Sequence, residues 1–353
     1  MGLDLVLLRT AVRILLLLPE RIRRLIAGSP RTHEGQVLDL DAQMLARLRQ
    51  LTGRTLDNGG PRQARAEMRR GALTVAGRAI ALAGEHDALV AGADGPLRAR
   101  RYVPHNASEA GPLILYFHGG GWVLGDIETH AAPCRALAQA AGLPVISVDY
   151  RLAPEHPFPA PVDDAFAAFC DVVARADEFG VDPELLVVAG DSAGGHLAAM
   201  VAQRATAAGV RGPAAQVLIY PVCDLTKTYP SELAFADGLL LTKADMDWFT
   251  EHFLEREDQR REASPLHGEL AGLPPALVLT AGFDPLRDEG EAYAEALREA
   301  GVEVILRRYD TQTHGFFNTL GVGFAAHEAI GEVAGVLRAW GLDVRSGRVT
   351  ATR

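Results

Sequence analysis

The 353-residue sequence has only three cysteines, Cys134, Cys170 and Cys223, far apart and with no C-x-x-C pair. That scarcity excludes a disulfide framework and a cysteine-based zinc site, and it points to reduced thiols in the cytoplasm. Positive charge is also short. There are 35 Lys and Arg against 45 Asp and Glu, a formal net charge of −10. Such a balance excludes a general nucleic-acid binder. No internal repeat is present. The one strongly apolar terminal stretch, "LDLVLLRTAVRILLLLPERIRRL", lacks the uninterrupted run of a spanning helix, because Arg9 and Arg13 break it and Pro19 follows. It also lacks the small-residue cleavage site of a secretory signal.

What the N-terminal stretch does have is a helical wheel with Arg9, Arg13, Glu20 and Arg24 on one narrow stripe and a wide apolar arc. The wheel predicts a helix mostly buried against something. Two partners fit: the protein itself, as a lid or homodimer contact, or a membrane surface. Residues 1–80 read as a helical cap segment, with "LDAQMLARLRQL" and "PRQARAEMRRG" as amphipathic helices.

From about residue 85 the texture changes. "LRARRYV", "LILYF", "PVISVDY", "LLVVAG", "AQVLIY", "PALVLTAGF" and "EVILRRY" read as strands, most of them short apolar runs. Ala-rich amphipathic stretches separate most of them. Unbroken apolar strands alternating with helices predict an α/β fold with a mostly parallel central sheet covered on both faces. This domain spans residues 81–342. A cap insertion at about 230–262 interrupts its rhythm, and residues 343–353 form a polar tail.

Two stretches carry the chemistry. In "LILYFHGGGWVLGD" a strand runs into Gly119-Gly120-Gly121. Consecutive glycines are costly to order. Bare backbone there suits a phosphate cradle, an oxyanion hole or a plain turn. The run fits neither G-x-x-x-x-G-K-[ST] nor G-x-G-x-x-G. In "LLVVAGDSAGGHLAAMVAQRA" a strand, the turn Gly190-Asp191-Ser192-Ala193-Gly194-Gly195 and a helix follow one another. This is the G-x-S-x-G nucleophile elbow in its required context.

A serine hydroxyl needs a base, and in this architecture the chain order is Ser, acid, His. Five histidines follow Ser192: His196, His252, His267, His314 and His327. His196 sits four positions after Ser192 on the elbow helix, with its ring turned away from the line of attack. His252 and His267 fall in or near the insertion, and His327 falls in the last helix. His314 lies in a loop just after strand "EVILRRY", beside Gly315, and is the predicted base. Asp284 directly follows a strand and precedes Pro285, so it is preferred as the acid over Asp310. Asp288 reads as an ion-pair partner of Arg287. With a serine nucleophile, the triple glycine becomes half of an oxyanion hole, with Gly120, Gly121 and Ala193 as donors.

Over residues 80–342 the sequence resembles the hormone-sensitive-lipase group of α/β-hydrolases, the bacterial family IV esterases. The resemblance rests on His118-Gly119-Gly120-Gly121-Trp122, on "DYRLAPEHPFPAPVDD" from Asp149, and on Gly190 to Gly195. It rests too on Asp284-Pro285-Leu286-Arg287-Asp288 and His314-Gly315-Phe316. It implies an α/β-hydrolase fold, a Ser192–Asp284–His314 triad, a structural His118 and an N-terminal helical cap. It also implies hydrolysis of small to medium acyl esters without metal or cofactor. Trp122 and Leu124 would line the substrate pocket or simply pack. His196 departs from the group, where Asn is frequent. An amide or peptide hydrolase shares the same triad. Plant gibberellin receptors resemble the group but lack the histidine, which makes a small-ligand receptor the rival from another class.

Overall fold

The apolar runs become the inner strands of one sheet. The computed structural model describes residues 3–52, 59–107 and 110–343. It opens with α1 (Leu3–Leu17), α2 (Glu20–Ala27), a short hairpin of β1 (Thr32–His33) and β2 (Gln36–Val37), then α3 (Leu40–Thr52) and α4 (Gly60–Val75). The sheet domain follows. Its strands are β3 (Gly84–Gly92), β4 (Gly95–Val103), β5 (Gly111–Phe117), β6 (Val145–Val148), β7 (Val181–Asp191), β8 (Ala215–Ile219), β9 (Ala276–Phe283) and β10 (Val304–Thr313). Its helices are α5 (Ala131–Ala141), α6 (Ala160–Ala174), α7 (Ala176–Phe179), α8 (Ala193–Ala207), α9 (Pro230–Ala234), α10 (Lys243–Phe253), α11 (Arg287–Glu299) and α12 (Ala325–Ala339).

The strand order is β10-β9-β8-β7-β5-β6-β4-β3. Pairing is parallel from β10 to β6, and antiparallel only where β4 meets β6 and β3 meets β4. Alternate side chains feed two cores, as the two-residue period of a strand requires. Leu113, Leu115 and Phe117 of β5 join the core under α6, α8 and α11. Ile114 and Tyr116 join the one under α5 and α12. Every residue of β5, β6, β8 and β9 is buried. Truncating one such side chain, for example Leu115→Ala, costs about 2–5 kcal/mol.

The chain leaves β5 for β6 on one side and returns to β7 on the other. The sheet therefore has its topological switch between the carboxyl ends of β5 and β7, where such folds place their sites. Phe117 pairs with Gly190 across that gap. A Cβ on Gly194 would overlap the Phe117 carbonyl, so glycine lets the elbow close onto β5.

The N-terminus departs from the single, mostly buried helix that the wheel predicts. Pro19 lacks an amide hydrogen and caps α2, so the charged stripe is split between two helices. Nor is α1 mostly buried: Val12 is its one buried residue among the described side chains. The guanidinium of Arg9 turns inward to the Gly77 carbonyl, while Leu7, Ile14 and Leu17 turn outward. No described helix is long and apolar enough to cross a membrane. The segment 230–262 holds α9 and α10. Of the tail at 343–353, residues 344–353 lie outside the described residues.

Candidate active site

Ser192 occupies the turn between β7 and α8 with φ 56° and ψ −121°. Left-handed backbone is strained for a residue with a Cβ. The turn is held by the Ser192 amide, which donates to the Ile219 carbonyl at 2.8 Å. The hydroxyl is thereby presented at the N-terminus of α8. His314 follows β10, and its Nε2 lies 3.0 Å from Ser192 Oγ. Its Nδ1 lies 2.8 Å from Asp284 Oδ2. Asp284 is fully buried just beyond β9. Its second oxygen accepts the Leu286 amide at 2.9 Å, which fixes the carboxylate plane. Three residues spread over 122 positions therefore form one chain of hydrogen bonds. Such a chain can draw the proton from a serine hydroxyl and stabilise the imidazolium that results.

Of the other candidates, Asp310 lies within β10, and Asp288 pairs with Arg287 at 2.8 Å. His196 is buried, accepting the Trp122 indole N–H on Nδ1 at 3.1 Å and donating from Nε2 to the Ala263 carbonyl at 2.8 Å. Burial pushes its pKa down to about 4. His118 is likewise buried, its Nδ1 donating to the Gly119 carbonyl at 2.9 Å. Burial, with His130 nearby, lowers it to about 4.

The glycine loop faces the serine. Gly120 and Gly121 have φ of 124° and 59°. A Cβ on Gly120 would strike the Leu124 carbonyl, and one on Gly121 the Phe249 ring. The Gly119 amide is committed to Asp191 Oδ1 at 3.0 Å. Among the described residues, the Gly120 and Gly121 amides donate to no protein acceptor. Ala193 opens α8, so its amide has no acceptor within the helix. Ser192, His314, Gly120 and Gly121 border a cavity of 920 Å³. Leu8 and Met68 from the N-terminal helices and Met246 and Phe249 from α10 complete its apolar wall. Trp122 and Leu124 border it as well, yet both are buried. The Trp122 ring stacks on Phe253 with centroids 4.0 Å apart, so it packs more than it faces substrate.

Sequence reasoning missed the group behind the loop. Asp191 accepts the Tyr116 hydroxyl at 2.7 Å and the Asn318 amide at 2.8 Å, with His130 Nε2 at 3.3 Å. Burial pushes its carboxyl up, but His130, Tyr116 and Asn318 outweigh that and hold it below the usual range. Asp191 stands inside the elbow motif, but its partners lie 61 to 127 residues away and obey no spacing rule. Arg65 of α4 was missed too. It donates to the Val123 and Ala153 carbonyls at 2.8 Å and pairs with Glu155 at 2.6 Å, which binds the N-terminal helices to the glycine loop.

Comparison with known proteins gives the same architecture. The α/β hydrolase fold family matches residues 114–318. Carboxylic ester hydrolase LipN of Mycobacterium tuberculosis is 47% identical over 262 residues, covering 72% of this chain and 69% of that protein. Carboxylesterase NlhH of the same species is 42% identical over 245 residues, or 68% of this chain and 77% of its own. A solved α/β hydrolase enzyme from the metagenome of Lake Arreo superposes with a TM-score of 0.83 at 41% identity, covering 86% of this chain and 98% of that one. Sheet order, elbow and sequence agree, and the chain belongs to the α/β-hydrolase family.

Proposed function

We propose that this carboxylic ester hydrolase acts through Ser192, His314 and Asp284 on small to medium acyl esters. Ser192 Oγ attacks the ester carbonyl while His314 Nε2 takes its proton. Asp284 holds the imidazole and stabilises its charged form. The carbonyl oxygen becomes an oxyanion facing the Gly120, Gly121 and Ala193 amides. Each such donor is typically worth about 3 kcal/mol in the transition state. His314 then returns the proton to the leaving alcohol, giving an acyl-serine. Water, activated by the same imidazole, attacks the acyl carbon and releases the acid and the free serine.

The observation that carries this reading is the pair of contacts on His314, 3.0 Å to Ser192 and 2.8 Å to Asp284, at the edge of the cavity. The apolar wall of Leu8, Met68, Met246 and Phe249 supports an acyl-chain pocket. Cys134, Cys170 and Cys223 are all unpaired, which supports work in a reducing, cytoplasmic compartment. Hydrolysis of p-nitrophenyl esters by the wild type and Ser192→Ala tests the assignment. Equal rates would exclude it. A series of acyl lengths then measures the pocket, and a matched amide series separates ester from amide preference.

A further inference from the structure

The N-terminal helices have two faces of different kinds. Inward, Val12 is buried and Leu8 borders the cavity that contains Ser192. Outward, α1 presents Val6 at 40%, Leu7 at 60%, Ile14 at 57% and Leu17 at 84% exposure, and α2 adds Ile22 at 44% and Leu25 at 83%. Six of the twelve large apolar side chains exposed among the described residues thus fall within Val6–Leu25. Apolar exposure this concentrated marks a contact surface rather than ordinary scatter.

Charge selects the partner. Residues 1–28 hold five arginines against Asp4 and Glu20, on a chain whose formal total is −10. Arg13 and Arg21 are exposed beside the apolar side chains. A second copy docking face to face would bring this arginine-bearing face against an identical one, a like-charge pairing that interfaces avoid. An anionic headgroup layer neutralises the arginines instead, while Leu7, Ile14 and Leu17 enter the acyl boundary. With 15 residues, α1 is too short to cross a bilayer, which takes about 20. Lying along the surface is the geometry open to it.

We propose that the outer face of α1 and α2 seats the enzyme on an anionic lipid surface. The acidic remainder of the chain then points away from the headgroups, which fixes the orientation. The helix that would meet the acyl layer through Leu7, Ile14 and Leu17 also borders the cavity through Leu8. The substrates favoured are therefore esters dissolved in the lipid, a corollary that rests on the function proposed above.

Flotation with phosphatidylcholine vesicles, with and without phosphatidylglycerol, tests the seating. Wild type and Ser192→Ala are both expected to float with the anionic vesicles, so binding is read without turnover. Arg13→Gln with Arg21→Gln is expected to weaken binding about 30-fold. Leu7→Asp with Leu17→Asp is expected to abolish it. Both pairs should keep the helical circular dichroism and wild-type hydrolysis of soluble p-nitrophenyl butyrate, since none of the four residues borders the cavity. Failure of the wild type to float with anionic vesicles overturns the proposal, as does flotation unchanged by the two aspartates. A dimer in sedimentation that those aspartates dissolve would assign the face to a second copy and overturn it as well. Loss of hydrolysis in Ser192→Ala with flotation intact speaks only to the catalytic reading.

Discussion

The Asp191 carboxylate accepts the Gly119 amide at 3.0 Å, so the residue before Ser192 fastens the loop that carries Gly120 and Gly121. Elbow and loop are thus registered to each other through one buried side chain. Asp191→Asn keeps the shape but turns an amide N–H₂ either toward the Gly119 and Tyr116 donors on one oxygen or toward the Asn318 donor on the other. The expected cost is about 3 kcal/mol of stability, read by denaturant unfolding. With the proposed oxyanion role of that loop, kcat is expected to fall while KM changes little.

Removing Ser192 or His314 as alanine should lower kcat on p-nitrophenyl esters on the order of 10⁶-fold. Asp284→Asn should cost about 10⁴-fold, since the imidazole keeps its place but loses the partner for its charged form. Combining the Ser192 and His314 changes should add little beyond either one, because the two act as a unit. Single-turnover kinetics on the four variants checks this.

Gly121→Ala places a methyl group against Phe249 at a φ of 59°. The amide must shift, and kcat should drop about 10²- to 10³-fold. Phe249→Ala in the same chain removes the overlap and should restore part of the loss. The left-handed backbone limits the recovery.

His196 makes stability depend on acid. Its pKa falls from 6.5 to about 4 on folding. The unfolded chain takes up the proton first, so this contribution is complete above pH 6.5 and is lost as pH falls through about 4. Asn at this position does not titrate and can accept the Trp122 indole N–H, but it ends one bond short of the Nε2 that meets the Ala263 carbonyl. Relative to the wild type, His196→Asn should therefore gain about 2 kcal/mol on going from pH 8 to pH 5, by urea denaturation. His196→Leu leaves both partners unpaired and should destabilise at both pH values.

The inner strands were legible because each is buried on both faces and reads as an apolar run. Of the proposed site, Ser192 was picked out by its motif and His314 and Asp284 by their places after strands, and the structure brings the three into hydrogen-bond contact. β3 was not: it is an edge strand in which Val90 alone is buried, so its residues show no apolar run. Pro19 was visible in the sequence, but the wheel ran through it because a wheel assumes a continuous helix. Arg9 misled the same reading, since an arginine can face inward when a carbonyl such as that of Gly77 receives it. The contacts of Asp191 arise only once the sheet has assembled.

Phe249 belongs to α10 and borders the cavity, yet it also sits where any side chain on Gly121 would have to go. Roof and floor of the chamber are the same wall at that point. On the reading proposed above, lifting that roof to admit a bulky acid or release an alcohol would also change what packs against the Gly121 backbone, whose amide must be rigid during bond breaking. Access and chemical speed are consequently tied in this enzyme, and a redesign that widens the entrance through α10 gives up rate unless Gly121 is braced from elsewhere.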